Sequence, residues 1–403
     1  MELLNSRYSH THWTAYRAAK LFYLLFWLLK PFYIFKSGGL QIGDICLGIS
    51  FLMVLYSDEK QVHIDEKDTP LFFYVIAVAG INSIYSAVYQ DISFVKPILY
   101  FIFNFICVYV TRIFMDDPEF TGRFNRILKF NLILQLCIFL LGLGRWYYAS
   151  RYMGTYNDPN QLGFAVLSTY CLIYCLNRKQ HTKHQWIFFL ISLFLIFETS
   201  SVGMFFGIGL IFVFEQYFRL TKIESNTRKV WYIVYLVIIS AAIAYAGSYF
   251  LLVVTKVVKT DIYVLQRIVE KFSGGSFIES FVDDRALSVA FQEPIRFLYG
   301  SGEGAFKRLN ARGGELHSTW ISLLYYYGIL PCCFLFIWIR NNIKRIDWYI
   351  IPVYVCIFAE AFTLINHRQP SFWVLILLGS ILKRKTQTQE KRDEIIQYNS
   401  SCL

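Results

Sequence analysis

The chain has 403 residues, of which 56% are hydrophobic and 19% aromatic while only 17% are charged, against roughly a quarter charged in ordinary soluble domains. That proportion excludes a protein able to cover itself with a water-facing surface, so lipid is the expected solvent for most of the fold. In a soluble protein a net charge of +11 would suggest nucleic acid, but here the basic residues sit in short clusters between apolar blocks, where they orient helices across a bilayer; nucleic acid is not an expected partner.

The apolar blocks approach the length that crosses about 30 Å of hydrocarbon at about 1.5 Å per residue. Taken in chain order they predict an all-α polytopic membrane protein with twelve spans, at 16–35, 40–56, 70–89, 95–114, 128–143, 162–176, 186–197, 202–218, 230–252, 319–339, 348–365 and 371–382. The seventh and twelfth are too short to cross alone and are expected to borrow flanking residues or sit in a thinned bilayer. The N-terminus has no short apolar core followed by a small-residue cleavage site, so the first block reads as a retained helix and not a signal peptide. With the N-terminus inside, the inner loops carry 24 Lys and Arg while the short outer loops carry Lys36, Lys96, Arg145, Arg151 and Arg368. Basic residues near helix ends resist translocation. Both termini are therefore expected in the cytoplasm of a multi-pass cell-membrane protein.

The expected layout is nine spans over 1–252, an extracytoplasmic loop over 253–318, three spans over 319–383 and a polar cytoplasmic tail over 384–403. In the loop, apolar periodicity over 261–272, a turn at Gly274 and Gly275, and an amphipathic run over 281–297 predict interfacial helices above the membrane opening. Eight of the nine cysteines fall in or beside apolar blocks and Cys402 is in the tail, which argues against a disulfide framework or a metal cluster. No His, Cys or carboxylate set has metal-ligand spacing, so neither metal nor cofactor is expected.

Three polar clusters fall at the same outer face. Charged groups near membrane depth cost several kcal/mol unless paired or turned to a cavity, which makes them candidates for function. The first is residues 145–161, RWYYASRYMGTYNDPNQ: Asn157, Asp158 and Pro159 form a turn, Asn160 caps the next helix, and Arg151 precedes Gly154. An interfacial turn with a snorkelling Arg explains the caps equally well, though less well the density of polar side chains. The second is residues 283–318, with Arg285 on an amphipathic helix, Gly300, Gly302 and Gly304 in a loop, and Glu315 and His317 at the mouth of the tenth span. A Gly-rich run without a preceding strand is weak evidence for phosphate binding, and a His at a helix mouth is as often an interfacial side chain. The third is Asn366, His367, Arg368, Gln369 and Pro370, which could simply anchor a helix end. Together they place Arg151, Arg285, Arg368 and two histidines on one side. Guanidinium groups hold phosphate oxygens bidentately and stay charged, so a diphosphate-bearing lipid is a natural ligand.

These residues resemble a known family. Residues 151–163, RYMGTYNDPNQLG, are similar to a segment of the O-antigen polymerase and ligase superfamily. Arg285, Gly300-Ser301-Gly302 with Phe306, and Glu315-Leu316-His317-Ser318-Thr319-Trp320 ending in Tyr327-Gly328 resemble that family's later motifs in order and spacing. The similarity covers roughly residues 145–330. His317 is followed by Ser318 where Asn is usual, and Ser201-Val202-Gly203 lacks an expected Arg. The resemblance implies a GT-C-like, metal-independent, inverting glycosyltransferase of polysaccharide biosynthesis (O-antigen, capsule or exopolysaccharide), acting in the bacterial inner membrane on sugars carried by undecaprenyl diphosphate. It also implies partners such as a chain-length regulator and a flippase, diphosphate binding by the residues at Arg151 and Arg285, and a catalytic role for His317.

The expected mechanism transfers a growing glycan to a hydroxyl of a second lipid-linked repeat unit. Arg151 and Arg285 hold the departing diphosphate, His317 oriented by Glu315 is the base, and Asn157, Asn160 and Arg368 bind substrate. An O-antigen ligase of the same superfamily, a flippase or exporter of the same lipid-linked oligosaccharide, and a membrane-bound O-acyltransferase are the alternatives.

Overall fold

The structure is a computed structural model describing residues 2–35, 40–57, 64–148, 150–177, 185–221, 223–235, 282, 285–309, 314–344 and 346–383. The periodic run over 261–272, Gly274, Gly275, the tail and most of the ninth expected span lie outside the described residues.

The helices follow the apolar blocks: α1 (Glu2–Leu29), α2 (Ile42–Ser57), α3 (Thr69–Tyr89), α4 (Val95–Phe114) and α5 (Pro118–Leu140). A short antiparallel hairpin, β1 (Arg145–Tyr147) and β2 (Arg151–Gly154), joins α5 to α6 (Pro159–Leu176). Then come α7 (Gln185–Thr199), α8 (Val202–Thr221) and α9 (residues 226–235). Two short helices follow, α10 (Ser288–Gln292) and α11 (Arg296–Tyr299), with α12 (Thr319–Tyr327), α13 (Ile329–Ile343), α14 (Ile351–Thr363) and α15 (Pro370–Lys383) completing the described residues. By length and composition, Thr69–Tyr89, Ile92–Phe114 and Val202–Thr221 can cross a membrane, and α2, α7, α13, α14 and α15 are shorter apolar helices. Ile84, Leu99, Phe206 and Val213 expose their side chains on these helices, a surface suited to acyl chains and not to water. The apolar helices mark a membrane-embedded protein.

Polar contacts gather at the two ends of the bundle. At one end Lys20 reaches Asp117 at 2.7 Å, and Arg112 grips Asp68 through Nε and, at 2.7 Å, Nη2. Asp68 also accepts from Trp338 Nε1 at 2.8 Å, Arg112 donates to Asn342 Oδ1 at 3.0 Å, and Ser380 donates to the same oxygen at 2.7 Å. Arg112 and Asp68 are both buried. An ion pair taken out of water holds only if its remaining hydrogen-bonding capacity is met, and here side chains from α13 and α15 meet it. Arg112, one of the 24 inner-loop Lys and Arg expected to orient the chain, is thus also a packing residue.

Two expectations need correction. The tenth span is not one helix: it breaks at Gly328 (φ 77°, ψ 172°) into α12 and α13, a conformation open essentially to glycine alone. The carbonyl of Tyr326, freed at the break, accepts instead from Ser301 N at 3.0 Å and Gly302 N at 2.8 Å. The run over 281–297 is likewise not one amphipathic helix. Glu293 leaves helical geometry (φ −126°, ψ 67°) before Pro294, whose ring disfavours the α region at the preceding residue, and α10 and α11 form on either side.

Candidate active site at the His317 end

The end opposite Arg112 is built on two backbone seams. Thr319 N and Oγ1 both donate to the carbonyl of Leu364, at 3.0 and 2.8 Å, and Asn366 N donates back to Thr319 Oγ1 at 2.7 Å. Ser318 caps α12 by accepting from Ile321 N. His317 N donates to the carbonyl of Arg285 at 3.0 Å, and Arg285 Nε donates to the carbonyl of Thr363 at 3.2 Å. Arg285, His317 and the α14–α15 turn are thereby fixed against one another although far apart in sequence.

Arg151 belongs to the adjoining seam. It is buried, its Nε donates to the carbonyl of Thr199 at 3.0 Å, and its Nη2 donates to Asn160 Oδ1 at 2.8 Å. Asn160 also accepts from Ser201 Oγ at 3.3 Å. Two residues on, Gly203 begins the face of α8 that meets α14: a Cβ there would lie 2.8 Å from Glu360 Oε2 and 3.3 Å from Thr363 Oγ1. The start of α8 thus lies between Arg151 on one side and Thr363, which carries Arg285, on the other. Asp158 caps α6 by accepting from Asn160 N and Gln161 N.

His317 draws these segments together. Its side chain is exposed, yet the surrounding protein lowers its pKa, first by desolvation and then through the positive charge of Arg368 and Arg285, while Glu315 and Asp158 pull the other way. The charges acting on the imidazole come from all three polar clusters read in the sequence. Its lowered pKa leaves it mainly neutral at neutral pH, the state in which a ring nitrogen can accept a proton.

Several expected roles change. Glu315 does not orient the His317 ring. Its Oε2 accepts from Arg368 Nη1 at 2.8 Å, and among the described residues no hydrogen bond reaches that ring. Asn157 braces the hairpin: it accepts from Arg145 Nη1 at 2.6 Å and donates to the carbonyl of Phe35 at 2.8 Å, while Arg145 also reaches the carbonyls of Tyr33 and Thr155. Asn160 positions Arg151. The Gly300 loop is not an open phosphate cradle, because a Cβ on Gly302 would lie 2.8 Å from the Tyr85 ring and Arg308 fills the space behind it. Arg308 donates to the carbonyls of Ser301 and Gly302 and stacks on Tyr85, Tyr89 and Phe94, a cation held by aromatic faces.

The sequence reading missed Glu303, which sits in the glycine run and is fully buried. It accepts from Arg368 Nη2 and, at 2.7 Å, from the Tyr327 hydroxyl, and its backbone N donates to Asn82 Oδ1 at 2.9 Å. His367 Nε2 lies 3.8 Å from it, with the ring stacked on Phe101. Burial alone would raise the Glu303 pKa, but Arg368, His367 and Tyr327 outweigh it and hold the carboxyl well below its usual range. The same pairing raises the pKa of Arg368 against its own desolvation. The signal was an acidic residue inside a glycine turn of an apolar chain, which the glycines concealed. Glu360, buried on α14 beside Gly203 and Gly207, was also missed, since it reads as one polar residue in a span.

A shallow recess between α6, α7 and α8 lies at the Arg112 end, lined by Tyr174, Trp186, Glu215 and Arg219. There Glu215 is closed by Tyr174 at 2.9 Å and Arg219 at 3.2 Å. It is remote from the convergence at His317. Among the described residues no three His, Cys, Asp or Glu side chains are grouped as metal donors. No family model matches the chain, and no curated protein matches it.

Proposed function

We propose that the chain is a membrane-embedded glycosyltransferase, a polymerase that moves a glycan from a polyprenyl diphosphate onto a hydroxyl of a second lipid-linked unit. One observation carries the reading: an exposed imidazole at one end of the bundle, its backbone bonded to the carbonyl of Arg285 and its near neighbour Glu315 paired with Arg368. In this reading the acceptor oxygen attacks the anomeric carbon as the bond from that carbon to the diphosphate oxygen breaks. His317 takes the acceptor proton, and single displacement inverts the anomeric centre. Arg285 and Arg368 meet charge developing on the diphosphate, while Arg151, engaged with Thr199 and Asn160, shapes the wall of the site. The twelve-span, GT-C-like layout with cytoplasmic termini belongs to the same proposal.

The test uses the purified full chain in lipid with synthetic lipid-linked repeat units. General-base catalysis contributes about 10²–10⁴-fold, so His317→Ala is expected to lose activity on that scale, and Arg285→Ala to lose it without loss of folded protein. Polymerisation at the wild-type rate by either variant overturns the assignment. A lipid-linked-sugar transporter is the second reading, favoured by the interrupted α12–α13 segment, since broken helices line transporter sites. Loss of long glycan chains with single units retained, on deletion, supports the polymerase. Units stranded on the cytoplasmic leaflet support the transporter.

A further inference from the structure

Arg368 is held by two carboxylates of different kinds, and the difference assigns them different roles. Glu303 is fully buried, accepts from Tyr327 as well as Arg368, and is anchored through its own backbone to Asn82. Removing it from Arg368 would leave a buried charge unpaired, the costly case. Glu315 has a side chain 32% exposed, stands on the irregular segment 314–318 two residues before His317, and bonds among the described residues to Arg368 alone, at 2.8 Å. The Arg368 guanidinium lies over the Tyr100 ring as well. With Glu303 behind it and Tyr100 across its face, Arg368 stays in place. Glu315 is the partner free to leave into water.

We infer that Glu315 is a displaceable counter-ion: it holds Nη1 of Arg368 until a diphosphate group of the substrate takes its place. This rests on the diphosphate reading above and adds how the site is kept closed to weaker anions. A carboxylate offers one negative charge to Nη1. A diphosphate offers more charge with two or more oxygens in guanidinium-matching geometry, so it displaces Glu315 where a single carboxylate or chloride does not. Arg368 is then a specificity-determining residue, and Glu315 sets the threshold that a ligand must exceed. No proton or bond changes hands in the exchange; one ion pair replaces another.

The experiment is binding of inorganic pyrophosphate, without divalent cations, to the purified full chain in nanodiscs. Glu315→Gln removes the competitor and is expected to tighten pyrophosphate binding by roughly 1.5-fold to fivefold, the range for a partly exposed pair. The gain is expected to vanish where Glu303→Gln and Arg368→Gln are introduced together, a neutral background that leaves no buried charge unpaired. If wild type binds and Glu315→Gln binds no tighter, the counter-ion role is overturned while the diphosphate reading stands. A gain that persists without Arg368 also overturns it, since Glu315 would then act only by general repulsion. No binding by any of the proteins overturns both. Farnesyl diphosphate binding tighter than pyrophosphate supports a lipid as carrier of the group; equal affinity overturns a lipid source.

Discussion

Glu303 and Arg368 show how a single buried charge sets the terms for its neighbours. Breaking a buried pair from one side costs about 3–5 kcal/mol because the survivor is stranded, and the two sides of this pair are unequal. Arg368→Gln strands Glu303, which is fully buried, whereas Glu303→Gln leaves Arg368 with Glu315 and a partly exposed edge. Thermal denaturation of the full chain in detergent should therefore rank Arg368→Gln as the more damaging change, with the double variant recovering part of the loss. The reverse ranking would contradict the burial assigned to Glu303. The pH dependence follows from the direction of the shift. The folded pKa of Glu303 is depressed, so its stabilisation is complete above the unfolded value near 4.5 and is lost as pH falls through the folded value. The melting difference between wild type and Glu303→Gln should be largest near neutral pH and narrow below about 4.5.

At the scale of elements, the α12–α13 break is what gives the Gly300 loop its seat. An unbroken helix would use the Tyr326 carbonyl internally, and Ser301 N and Gly302 N would lose their acceptor. Gly328→Ala puts a side chain into backbone space reserved for glycine, at a cost of about 1–3 kcal/mol, and sets its Cβ 2.6 Å from the Leu298 carbonyl. A lower melting temperature and faster proteolysis near residues 298–304 are expected, and an unchanged protein would show the break to be incidental. Part of this was legible in the sequence. Apolar blocks gave away α2, α3, α4 and α8 because helix length is dictated by the bilayer. The break was not visible, because Gly328 and Pro331 are both tolerated within membrane helices and only a packed partner decides whether the helix yields. Similarly, α5 begins at Pro118, ten residues before its apolar block: Asp117 caps it, and a cap signals a start that hydropathy does not.

For the whole molecule, the polar clusters were readable as clusters because short loops between apolar blocks leave polar residues nowhere else to go, whereas pairings were not. Arg368 looked like a free outer cation until Glu303 and Glu315 were seen against it, and Arg112 looked like an orienting charge until Asp68 was. Sequence separation hides such partners: 65 residues part Arg368 from Glu303, and 44 part Arg112 from Asp68. What the contacts do carry is an alternation of ends. Lys20, Asp117, Arg112, Asp68, Asn342 and Ser380 meet at one end, and Arg151, Thr199, Arg285, Thr363 and Arg368 gather at the other. With the basic residues biased to the first end, the orientation proposed above assigns that end to the cytoplasm by the positive-inside rule. Single cysteines placed at Tyr148, 84% exposed on the hairpin, and at Glu119, exposed at the start of α5, test this directly. A membrane-impermeant thiol reagent added to intact cells should label Tyr148→Cys, and should label Glu119→Cys only after permeabilisation. Labelling of both from the same side would place the hairpin and the Asp117 turn on one face, and would remove His317 from the compartment where the proposed transfer takes place.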